Sequence, residues 1–165
     1  MSFRPARVLV PLLIVLGLLG VAPNADAASG DTSLVIISTL VSTDSSLNTY
    51  GSLQYGTINF TGTAVVNGEN VSIIRNAVVD YRSNNGPIGG FLTFLWPDGS
   101  RISMRASGSS ASVGARANFL AALEVFSTSG KWTNYVGSGT MRGSRTGALG
   151  TPITYTFRVN LLEKA

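Results

Sequence analysis

The chain has 165 residues, with 12 lysines and arginines against 8 aspartates and glutamates, for a net charge of +4. It holds no cysteine and no histidine. That excludes a Ser-His-Asp or Cys-His triad, a disulfide framework, a thiolate zinc site and a histidine general base. Charged residues make up 12% of the chain, about half the usual globular share, and the length fits a single domain.

The first segment reads as a leader. Arg4 and Arg7 precede an apolar run from Val8 to Val21, and Ala25-Asp26-Ala27 follows as a small-x-small site. This order describes a secretory signal peptide over residues 1–27, cleaved after Ala27. The run is shorter than a membrane span needs and no stop-transfer charges follow it. The expected product is an exported protein, extracellular or periplasmic, with no stable membrane insertion after cleavage. Residues 28–165 then form the one folded domain.

That remainder is rich in serine, threonine and glycine, which are poor helix formers. Short stretches of Val, Ile, Phe and Tyr recur between turn signals, so strands are expected throughout. The first is Ser33 to Ser42 and the second Leu53 to Val66. Asn67-Gly68 is a two-residue hairpin signal. The return strand, Val71 to Arg82, sets Val71, Ile73, Ala77, Val79 and Tyr81 on one face, interrupted by Arg75. Gly90 to Trp96 is the fourth strand, and Pro97-Asp98-Gly99 turns it into a fifth, Ser100 to Ser107. Gly108 to Gly114 reads as a loop. Ala117 to Phe126 fits a strand better than a short helix, since no capping box precedes it. Trp132 to Arg142 and Ile153 to Leu162 complete the set.

Short connections imply antiparallel neighbours. Eight such strands without a disulfide must dispose of their edges, and closure does this fully. The reading is therefore all-β, an eight-stranded antiparallel closed β-barrel, with a β-sandwich as the alternative.

Two segments carry a family resemblance. Trp96-Pro97-Asp98-Gly99-Ser100-Arg101-Ile102 leads into a strand ending near Gly108. Later, Tyr135 to Gly147 places Gly137, Gly139, Gly143 and Gly147 around Arg142 and Arg145. The pairing resembles the dirigent and allene oxide cyclase superfamily, across Phe94 to Leu161. Ser138 stands where that motif has a glycine, and Met141 where an aromatic is common. The resemblance implies a barrel, and either a stereochemical guide for a reactive intermediate or a cofactor-free cyclase or isomerase. It also extends to a homo-oligomer, because related barrels often associate.

Chemistry candidates are few. Asp98 belongs to its turn, where a carboxylate bonds the local backbone. Asp80 and Glu124 lie inside apolar strands. Facing inward, either would be desolvated and raised in pKa, as an acid needs; facing outward, it is a solvated charge. The outward reading is preferred. Arg101 and Arg105 share a polar, outward face. No metal site, cofactor motif or concentrated basic run is present, so no metal, cofactor or nucleic-acid partner is expected. The expected partner is a small apolar or aromatic molecule held without covalent chemistry. Trp132, Tyr135, Arg142 and Glu124 are the candidate ligand-binding residues, and no catalytic residue is assigned. A packed barrel with a structural or surface-interaction role is the remaining alternative.

Overall fold

A computed structural model describes residues 30–164. The expected leader, residues 1–27, lies outside the described residues. The elements are β1 (Thr32–Tyr50), β2 (Leu53–Val66), β3 (Glu69–Arg82), β4 (Gly86–Leu95), β5 (Arg101–Val113) and β6 (Arg116–Ser129). A short 3-10 turn (Gly130–Trp132) follows, then β7 (Tyr135–Thr146) and β8 (Ile153–Glu163). Each strand pairs antiparallel with the next, and β8 returns to β1 to close the barrel. The closing register runs from Thr32 opposite Leu161 to Leu40 opposite Ile153. The expected closed barrel is therefore present, and the sandwich alternative is excluded.

Period-two alternation builds the core. In β3 the inward residues Val71, Ile73, Arg75, Ala77, Val79 and Tyr81 are all buried, and every residue between them is exposed. β8 buries Ile153, Tyr155, Phe157, Val159 and Leu161 in the same alternation, with Thr156 alone between them half-buried. The sheet is apolar inside and mostly polar outside, the inverse of a barrel that faces lipid. Fully burying each large aliphatic or aromatic side chain contributes roughly 1.5–3 kcal/mol, so packing substitutes for cross-links in a chain that has no cysteine.

Three local expectations are corrected. Gly108 to Gly114 is not a loop: β5 continues through Val113, paired with β6 from Ser107 opposite Ala122 to Val113 opposite Arg116. Small side chains gave that segment no readable period, yet its backbone completes a ladder. Trp132 does not open the seventh strand; it ends the 3-10 turn, and β7 starts at Tyr135. β1 runs on to Tyr50, beyond its contact with β8, as one arm of a long hairpin with β2. Ala117 to Phe126 lies within a strand, as preferred.

The up-and-down order gives the barrel two different ends. One carries the β1–β2, β3–β4 and β5–β6 turns and the β7–β8 loop. The other carries the β2–β3, β4–β5 and β6–β7 connections. At the second end Trp96 and Trp132 pack at a tilt, ring centroids 5.1 Å apart, as a stopper. Lys131, in the 3-10 turn, lies over both indoles and pairs with Glu69 at the start of β3. Deeper in, Phe94 meets Phe157 edge-on at 5.3 Å, and Phe157 stacks on Tyr155 at 5.5 Å. Aromatic side chains thus fill the axis.

Candidate functional site

The lumen is packed. Its residual cavity is about 10 Å³, lined by Arg75, Tyr81, Phe119, Arg145 and Tyr155 among others. Small-molecule sites measure roughly 300–1,000 Å³, so the inside of the barrel offers no room for an aromatic ligand.

The packed lumen has one polar region. Arg75 on β3 and Arg145 on β7 both point inward, at 2% and 5% exposure. Arg75 donates to the Tyr155 hydroxyl at 3.2 Å and sits 5.3 Å from that ring's centroid. The Arg145 guanidinium stands 5.7 Å from the centroid of Phe119. Near Tyr81, the Ser110 hydroxyl donates to the Asn84 carbonyl at 3.0 Å. Among the described residues neither arginine forms an ion pair, and no carboxylate is buried. The Nε of each arginine has no hydrogen-bond partner among the protein atoms. Desolvating one ion costs several kcal/mol, whereas a desolvated cation–π contact returns about 2 kcal/mol. The ring contacts alone leave both charges undercompensated.

Burial has the expected effect on these groups. It raises the Tyr155 phenol above its ordinary value, with Arg75 and Arg145 pulling the other way. It raises Tyr81 likewise, helped by the neighbouring Tyr155. It lowers the Arg145 guanidinium.

The roomy concavity lies outside, over β6, β7 and β8. It measures about 500 Å³, and its walls include Arg116, Asn118, Leu120, Arg142, Ser144 and Thr156. The register explains this convergence. Leu120 stands opposite Arg142, and Arg142 opposite Thr156. Asn118 stands opposite Ser144, and Arg116 reaches the Ser144 hydroxyl at 3.4 Å. One row further on, Thr156 faces exposed Ile37 of β1. The groove thus joins two cations and several hydroxyls to apolar flanks, without a carboxylate in its lining.

Gly143 forms part of the groove's floor. It occupies an inward position of β7, directly opposite Tyr155. A Cβ added there would strike the Tyr155 ring. The Tyr155 ring therefore packs directly over Gly143, in space that any side chain there would fill.

The four residues singled out from the sequence do not form one site. Arg142 faces outward and lines the groove. Glu124 also faces outward, 3.8 Å from Arg105 as an exposed ion pair, and is outside the groove lining. Trp132 is buried in the stopper, and Tyr135 packs edge-on against it at 5.6 Å, half-buried at the opposite end from the groove. Asp80 is exposed, as preferred. Asp98 accepts the Ser100 backbone N–H at 2.9 Å, which holds its carboxyl below the ordinary range. In the sequence Arg116 and Arg145 stand among scattered arginines that read as solvated or locally paired, whereas Arg75 is visible as the one charge on an apolar face.

Among the described residues no three potential acidic metal ligands converge. No family model matches the chain, and no curated protein matches it.

Proposed function

We propose that this chain is an exported barrel that holds a small molecule with an apolar or aromatic body and an anionic end, without covalent chemistry. The ligand occupies the outer groove rather than the lumen. The observation that carries this reading is the pair Arg116 and Arg142 on a concavity of about 500 Å³, with Leu120 on its wall and no carboxylate among its lining residues. Guanidinium groups recognise carboxylates in a planar, two-pronged geometry, and Leu120 offers apolar contact beside them. The leader-like start supports export, and the motif spanning Trp96 to Gly147 supports kinship with the dirigent and allene oxide cyclase superfamily. In such a relative the groove would orient an intermediate, not transform it.

A second reading rests on the packed lumen: a surface-interaction protein with no small-molecule ligand. Calorimetric titration with 2-naphthoate and with its neutral amide separates the two. The groove reading expects the carboxylate to bind at least tenfold more tightly than the amide, about 1.4 kcal/mol. It also expects the R116A/R142A double variant to lose that preference while E124A keeps it. Absence of binding, or binding indifferent to both arginines, removes the groove reading and leaves the packed-barrel one.

A further inference from the structure

We infer that the lumen is also an anion site, which takes a single halide ion between Arg75 and Arg145. This site is separate from the groove and does not depend on it. Four observations converge. Both arginines are more than nine-tenths buried and line the same lumenal cavity. Each has its Nε directed at no protein acceptor. The charges have no carboxylate partner among the described residues. The cavity between these side chains is about 10 Å³, close to the least that holds one water-sized particle.

The chemistry narrows the occupant. Two like charges in one apolar enclosure need a counter-charge, and a neutral water supplies none. The tyrosines cannot supply it as phenolates, because burial holds both phenols protonated beyond their usual range. As neutral groups their hydroxyls are donors of hydrogen bonds, alongside the guanidinium N–H groups. The Tyr155 oxygen already accepts from Arg75, and what the enclosure lacks is a negative charge. A carboxylate or phosphate carries more atoms than the space admits. A spherical monovalent ion accepts from several directions and needs no preferred plane, so chloride fits the donor set and, with slight relaxation of the walls, the size.

The test uses the whole protein. Crystals grown with bromide in place of chloride should show an anomalous peak between the Arg75 and Arg145 side chains. Thermal melts in chloride should lie above melts in gluconate of equal ionic strength, by about 4 °C when the halide is at about ten times its dissociation constant. The R145M variant should lose that difference. A bromide map with no peak at this position overturns the proposal, as does a difference between the salts that R145M retains. Should R145M fail to fold, the bromide map of the unaltered protein decides alone.

Discussion

Inside the barrel, the guanidinium of Arg75 donates to the hydroxyl of Tyr155 at 3.2 Å, and both side chains are almost wholly buried. The two residues are 80 positions apart in the chain, on β3 and β8. This contact therefore ties opposite parts of the barrel wall through its interior. Tyr155 supplies the only side-chain hydrogen bond that Arg75 makes among the described residues. Tyr155→Phe keeps the ring and its packing against Phe157 but leaves a charged donor unanswered. It should lower unfolding free energy by about 2 kcal/mol, read as a reduced urea midpoint at unchanged slope. A loss within about 0.5 kcal/mol would show that this bond contributes little.

Gly143→Ala tests the close approach of Tyr155 beneath the groove. The added methyl meets the Tyr155 ring, which is enclosed on all sides and has nowhere to swing. Overpacking of this kind costs typically 1–3 kcal/mol. The variant should therefore melt lower and, because Gly143 also lines the groove, should weaken 2-naphthoate binding. A variant as stable as the parent would show that β7 has slack at this point.

Alkaline pH should unfold the protein through its two buried phenols. Tyr81 and Tyr155 are both raised by burial, so the folded state holds these protons more tightly than the unfolded chain. Their contribution is complete below the ordinary phenol value, about pH 10, and is lost as pH rises through the folded values. The urea midpoint should fall between about pH 9 and about pH 11, and Tyr81→Phe should flatten part of that fall. Arg145 acts in the opposite sense, since burial lowers its value. A midpoint that does not fall over this range would contradict the assignment.

The exposed pair Arg105 and Glu124 should matter little. Its charged groups are 3.8 Å apart, and both side chains are more than half exposed. Exposed pairs contribute about 0.2–1 kcal/mol, and salt screens them. Glu124→Ala should stay within that range of stability and leave naphthoate binding unchanged. A larger effect on binding would extend the functional surface along β6 past Leu120.

The architecture was legible because its signals are two-valued. Val71 to Tyr81 alternates so regularly that the inner face of β3, Arg75 included, follows from parity alone. Asn67-Gly68 marks its turn as plainly. Parity also decides Arg142, but only once its phase is known. Met141 is buried and Arg142 exposed, and the glycines around them offer no side chain from which to choose between the two faces. Serine-rich β5 beyond Ser107 was illegible for the same reason, since small residues fit either side of a wall. The groove was hidden more deeply. It depends on Leu120, Arg142 and Thr156 falling into one row across three strands, and register is a property of pairing that no single strand carries.

Closure by β8 onto β1 has a consequence for how the protein comes into being. The first strand cannot acquire its second neighbour until the last one has been made. Until then the growing sheet is an open ribbon with a bare margin on each side, and its apolar face is not yet enclosed. In such a chain the pairing between sequence-distant β1 and β8 forms slowly. Losing β8 alone would leave that ribbon permanently unsealed, with the outer margins of β1 and β7 exposed to any strand that meets them.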